Sequence, residues 1–222
     1  GTLFANGGCY YVITAAHCIL DATEKRHYDK KYIQISLPQI CKAPIEVNEI
    51  LEFDFDDDVD FALLSVKLDI DSLSINFDYE NDIKFIGQDE FGVNTCIYGY
   101  THSYPSGRKF TTEMVAPDTY AIKEGITASG VEFTKVMKGS SGGGIFVGYE
   151  NRILCLGYVK SRMTETDRLD DIKIRRIPSA INDKFPHPIL LDSIQQKQAL
   201  ESSLIHRSRI EIKYINKWNE LY

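Results

Sequence analysis

Short runs of aromatic and β-branched residues, each soon cut off by Gly, Pro or Asn, recur along most of this chain and favour strands over helices. Cys9-Tyr10-Tyr11-Val12-Ile13-Thr14 is one such run. The apolar Gly1-Thr2-Leu3-Phe4-Ala5 precedes it, and Asn6-Gly7-Gly8 between the two is a hairpin signal. Residues 32–37 alternate apolar with polar, as a half-buried strand does. Residues 43–51 suggest another strand, and 61–66 read as a buried strand behind an acidic run. The second half repeats the style at 93–100, 109–115, 118–123, 144–147, 153–160 and 172–177. Two groups of about six short strands suit two barrels, an all-β class.

After Pro178 the pattern changes. Residues 179–185 read as a short helix stopped by Pro186 and Pro188. Residues 189–205 are rich in Gln, Leu and Ser and lack Gly and Pro, so they too predict a helix. Residues 207–215 alternate again and are a candidate to pair on an exposed sheet edge.

A chain of 222 residues with 43% apolar content can bury a normal core without disulfide staples. A net charge of −7 argues against nucleic acid as a partner, since nothing would draw the chain to phosphate. It equally disfavours a polybasic membrane-surface module. No run of ~18 apolar residues predicts a transmembrane helix. No basic stretch followed by an apolar segment marks a signal peptide ahead of Gly1. The five cysteines (Cys9, Cys18, Cys41, Cys96, Cys155) are odd in number, widely spaced and free of CxxC pairs, which argues against a zinc knuckle. Thiols in a reducing, cytoplasmic compartment are the expectation; the alternative is one or two bridges with one thiol left over.

Lys138-Gly139-Ser140-Ser141-Gly142-Gly143-Gly144 carries the strongest chemical signal. A serine hydroxyl is a poor nucleophile unless a base takes its proton. The tetrahedral intermediate also needs backbone N–H donors that converge on its oxygen. Glycines around a serine let the backbone bend to supply them and leave room for a substrate. Only Ser141 has Gly two residues before it and Gly-Gly after it. The competing reading is a flexible loop or a phosphate-cradling turn. A P-loop, however, ends in Gly-Lys-Ser/Thr, and here Lys138 comes first.

Val12-Ile13-Thr14-Ala15-Ala16-His17-Cys18 is the second signal: a strand ends, small residues follow, and a histidine sits at the turn. His27, His102, His187 and His206 have no such setting and read as ordinary core or surface residues.

Thr14-Ala15-Ala16-His17-Cys18 resembles the histidine box of trypsin-like (chymotrypsin-fold) serine proteases, and Gly139-Ser140-Ser141-Gly142-Gly143 resembles their nucleophile box, in that family's chain order. The resemblance implies two six-stranded antiparallel β-barrels, about 1–80 and about 90–185, in a protease domain of residues 1–185. Residues 186–222 would then be a helical extension or the start of a further module. It also implies an acid between the two boxes, before an apolar strand. Asp60-Phe61-Ala62-Leu63-Leu64 supplies it; Asp58, two residues earlier, is the rival. The rest of the acidic run, 52–58, reads as a solvated loop, with a Ca²⁺ site as the alternative.

The implied reaction is peptide-bond hydrolysis through an acyl-enzyme. Ser141 attacks, His17 is general base then acid, and Asp60 holds the imidazole. The N–H groups of Gly139 and Ser141 would form the oxyanion hole, with no metal or organic cofactor. The implied partner is a protein or peptide substrate. Lys135, six residues before Ser141, falls near the base of the primary pocket, and Lys160-Ser161-Arg162 resembles the pocket wall. A basic pocket would favour cleavage after Asp or Glu; the alternative is that these cations face solvent.

The chain departs from the family in three places. Ser140 stands where the digestive enzymes carry an Asp that pairs with a new N-terminus. The family begins about one strand before Gly1, and its partner for Cys18 would lie there too. Cysteine-poor members of this kind resemble intracellular bacterial effector proteases, fused to or associated with regulatory modules. The different-class alternative is a protease-like module that binds a partner without catalysis. Geometry discriminates: an active site needs His17 to meet Asp60 on one side and Ser141 on the other.

Overall fold

The computed structural model describes residues 1–37, 43–56, 58–68, 83–86, 95–101, 104–122, 139–149, 152–160 and 171–191. Fifteen strands are defined among them: β1 (Thr2–Asn6), β2 (Cys9–Ala15), β3 (Leu20–Asp21), β4 (Arg26–His27), β5 (Gln34–Ile35), β6 (Ile45–Asp54), β7 (Phe61–Lys67), β8 (Ile83–Ile86), β9 (Thr95–Thr101), β10 (Tyr104–Ala116), β11 (Thr119–Ile122), β12 (Gly144–Tyr149), β13 (Arg152–Val159), β14 (Asp171–Arg175) and β15 (Leu190–Leu191).

The hairpin signal at Asn6-Gly7-Gly8 is realised. Asn6 pairs with Cys9 across the turn, and Gly7 and Gly8 adopt φ of 59° and 76°. Two consecutive positive-φ residues give a turn whose twist matches that of the strands it joins, and glycine takes that conformation without Cβ strain.

β1 and β2 continue into a five-stranded antiparallel sheet in the order β1-β2-β7-β6-β5, which curls as a half-barrel. Its inner face packs Val12, Ala16, Ile19, Ile45, Val47, Ala62, Leu64 and Val66. The second sheet runs β12-β9-β10-β11-β14-β13, and β13 pairs back onto β12, so six strands close into a barrel. Ile97, Tyr120, Ile145, Leu156 and Ile174 fill its interior. Closure pairs every strand on both sides and removes the exposed edge that a flat sheet would leave. The all-β double barrel of chymotrypsin-like architecture is therefore present.

A third core lies where the two barrels meet. Phe4, Ile13, Ala15, Phe61 and Leu63 from the first sheet pack against Phe85, Cys155, Tyr158, Ile177, Ile181 and Phe185. The Phe4 ring stands edge-on to Phe85 and Phe185, with centroids 5.1 Å and 5.6 Å away, so the interface is aromatic and buried.

Several local readings change. Only Gln34–Ile35 of the segment 32–37 is strand, because Asp29 caps a 3-10 turn at Lys30–Tyr32 by accepting the Lys31 N–H. Residues 179–184 form a 3-10 helix. Leu190–Leu191, expected to open a helix, instead pairs in parallel with β8, which in turn pairs with β13. Asn182 fixes that excursion: its Oδ1 accepts the N–H groups of Ile189 and Leu190, and its Nδ2 donates to the Leu190 carbonyl. The candidate helix beyond 191 and the alternating segment 207–215 lie outside the described residues.

Candidate active site

His17 sits on the 3-10 turn Ala16–Cys18 that ends β2. Ala15 and Ala16 are fully buried, and their small side chains let this turn lie close against the start of β7. There the Ala16 N–H donates to the Asp60 carbonyl at 3.0 Å.

Asp60 immediately precedes β7 and is buried. Its Oδ2 lies 2.8 Å from His17 Nδ1, and its Oδ1 accepts the His17 backbone N–H at 3.0 Å. One carboxylate thus fixes both the ring and the backbone of the histidine, with Nδ1–H as donor and Nε2 facing outward. Asp58 is not in that position: its side chain is 98% exposed and lies 3.9 Å from Arg175. Asp54 and Asp56 each accept a backbone N–H two residues on, so these carboxylates serve the turns of the acidic run. Among the described residues no three His, Cys, Asp or Glu side chains gather as a metal-ligand set.

The electrostatics of the pair are mutual. The hydrogen bond that the ring donates to Asp60, then its interaction with the Cys18 sulfur, outweigh partial burial and push the His17 imidazole up to about 10. Burial pushes the Asp60 carboxyl up, but the ring and backbone bonds of His17, helped by the charge of Lys160, bring it below its ordinary value. Each partner favours the charged form of the other.

Ser141 lies on the turn that leads into β12, half-buried, with Ser140 buried beside it. The turn is seated by β13: Gly142 N–H donates to the Val159 carbonyl, and Val159 N–H to the Gly143 carbonyl, both at 2.8 Å. Gly142 cannot be replaced without strain. Its φ is 76°, and a Cβ there would collide with Thr14 Oγ1 and lie 3.0 Å from the Ala15 nitrogen. Position 142 therefore brings the serine turn against the end of β2, the strand that delivers His17. Among the described residues the N–H groups of Gly139 and Ser141 have no hydrogen-bond acceptor.

Cys18 marks how near the two halves stand. Its Sγ lies 3.8 Å from His17 Nε2 and 3.5 Å from the Ser141 carbonyl oxygen. The Cys18 thiol thus touches both the histidine ring and the serine turn, and no hydrogen bond joins Nε2 to the Ser141 hydroxyl among the described residues. A cavity of about 310 Å³ opens beside Ser141, walled by Thr2, Leu3, Leu37, Tyr98 and Phe146. A larger groove of about 660 Å³ lies on the first sheet, around Tyr10, Asn48, Glu49 and Lys67, and contains none of His17, Asp60 or Ser141.

Of the expected pocket cations, Lys160 follows β13 and contributes its charge to Asp60. Lys135, Ser161 and Arg162 lie outside the described residues. Cys18 and Tyr158 were not singled out in the sequence as site residues. Tyr158 had a signal, because a tyrosine in a buried strand needs a partner for its hydroxyl.

The site sits on a double β-barrel, with a His–Asp pair on one half and a Gly-flanked serine on the other. No protein-family model matches the sequence, and no curated protein sequence matches it. Among solved structures the chain is similar to the murine norovirus NS6 protease. One such structure, an inactive cysteine-to-alanine mutant with a C-terminal extension, shows 12% identity and a TM-score of 0.42 over 79% of this chain and 88% of that one. The NS6 protease from murine norovirus 1 shows 10% identity and a TM-score of 0.42 over 80% and 90%. Likenesses of that size carry nothing about the chemistry here.

Proposed function

We propose that this chain is a serine endopeptidase that cleaves peptide bonds through an acyl-enzyme. The observation that carries the reading is the double engagement of Asp60 with His17, beside a Gly-flanked serine turn that the neighbouring Cys18 thiol also touches. In the reaction, Ser141 Oγ adds to the scissile carbonyl carbon as its proton passes to Nε2. The resulting imidazolium is held by the Asp60 carboxylate. The carbonyl oxygen, now an oxyanion, takes hydrogen bonds from the N–H groups of Gly139 and Ser141. The imidazolium then protonates the leaving amine, and water enters by the same route to release the acid. The residue types, their chain order and the His17–Asp60 contact support this sequence of steps.

A fluorophosphonate probe tests it. The wild-type protein should be labelled covalently at Ser141, and Ser141→Ala should not be labelled. Persistent labelling of that variant sinks the assignment.

The preference we infer is cleavage after Asp or Glu, from the basic residues Lys135, Lys160 and Arg162 that the resemblance puts around the primary pocket. A peptide-library profile dominated by cleavage after Arg or Lys overturns it.

One observation favours a second reading, a protease-like binding module: Nε2 meets the Cys18 thiol at 3.8 Å rather than the serine hydroxyl. Catalytic hydrogen bonds are often loose without substrate. A wild-type protein inert to the probe but able to retain a peptide would decide for this alternative.

A further inference from the structure

The segment that carries Asp60 is tied to the other barrel by a buried hydroxyl. Tyr158, in β13, is 1% exposed and donates its OH to the Val59 carbonyl at 2.8 Å. That carbonyl and the Asp60 N–H belong to one peptide unit, and the N–H end donates to the Asp56 carbonyl at 2.7 Å. Both ends of the unit before Asp60 are therefore pinned. The torsion between that unit and the Asp60 Cα is the Asp60 φ, which stands at 46°. A left-handed φ is unfavourable for a residue with a Cβ, and it persists where surrounding bonds over-determine it.

The same strand holds the serine turn. Val159, the next residue, exchanges two backbone hydrogen bonds with Gly142 and Gly143. Adjacent residues of β13 thus grip the acid loop of the first sheet and the nucleophile turn of the second barrel. The Tyr158 ring, 6.0 Å from that of Phe61, adds packing on the residue after Asp60.

We propose that Tyr158 is a positioning residue: its hydroxyl holds the Val59–Asp60 peptide so that the Asp60 carboxylate meets His17, and β13 sets the distance between that pair and Ser141. This rests on the assignment of His17, Asp60 and Ser141 to one reaction.

Tyr158→Phe removes the donor and keeps the ring. The expected results are a fluorophosphonate labelling rate and a kcat lower by about tenfold, the size of effect one hydrogen bond carries, with KM unchanged. The His17 pKa, read from its ring ¹⁵N shifts across pH, should fall by about one unit as the Asp60 carboxylate loosens. 4-Aminophenylalanine at 158 restores a donor and should recover both readouts. If Tyr158→Phe fails to fold, 4-fluorophenylalanine at 158 fills the same space without a donor and takes its place. A lower melting temperature with unchanged labelling, kcat and His17 titration means a purely structural role and overturns the proposal. A wild-type protein that shows no Ser141-dependent labelling overturns the protease reading alone. The ¹⁵N titration then still decides whether Tyr158 positions Asp60.

Discussion

His17 and Asp60 are joined twice, through Nδ1 to Oδ2 at 2.8 Å and through the backbone N–H to Oδ1 at 3.0 Å. The second bond matters as much as the first. It ties the carboxylate to the turn that carries the ring, so the two residues move as one unit, and the outward Nε2 keeps its direction when substrate enters the cleft.

Asp60→Asn should lower kcat by about 10³–10⁴-fold with a small effect on KM, because an amide NH₂ opposite Nδ1 favours the wrong tautomer. Asparagine tolerates the φ of 46°, so the variant should fold. Steady-state kinetics with a melting curve check both halves. Asp58→Asn is the matched control and should leave kcat/KM within about twofold, since that side chain is exposed.

The pH profile follows from the direction of the His17 shift. The imidazole must be neutral to accept the serine proton, and its partners hold it protonated above its ordinary value near 6.5. The acid limb of kcat/KM should therefore have its midpoint above 6.5, measured with a neutral peptide substrate. Cys18→Ala removes one of the groups that raise the imidazole and should move that limb to lower pH.

Stability follows the same pair with opposite signs. His17 is raised on folding, so its contribution is complete below its unfolded value of 6.5 and is lost as pH rises toward about 10. Asp60 is lowered on folding, so its contribution is present above its unfolded value of 3.8 and is lost as pH falls through its folded value. Melting temperatures should show the pair's largest effect between about pH 4 and 6.5, as the difference between wild type and Asp60→Asn.

Gly142→Ala should cost about 1–3 kcal/mol and weaken or abolish probe labelling, since it adds a Cβ at a φ of 76° against Thr14. Denaturant unfolding and labelling of the soluble variant measure the two effects. Thr14→Ala in the same background should recover part of the loss by removing the oxygen that the new Cβ meets.

Much of the fold is legible in the residues themselves. The short apolar runs at 61–66 and 153–160 and the Asn-Gly-Gly turn place β7, β13 and the first hairpin, because compact β-branched and aromatic runs and positive-φ turns are local properties. The 3-10 turn at Lys30–Tyr32 and the strand at Leu190–Leu191 were not legible. The first depends on a side-chain cap, and the second on an edge of β8 that is distant in sequence.

The site divides along the same line. The sequence by itself settled the residue types: a serine flanked by glycines, a histidine after two alanines, and an aspartate at the head of an apolar strand. It left Asp58 and Asp60 in competition, because an exposed and a buried carboxylate two residues apart look alike in a string of letters. Only the tertiary structure decided between them. It turned one into solvent, set the other on the ring Nδ1 and the backbone N–H of His17, and placed the Tyr158 hydroxyl on the carbonyl of Val59, 99 residues away, in the peptide that carries it. Those contacts join segments far apart in the chain, and no local propensity encodes them.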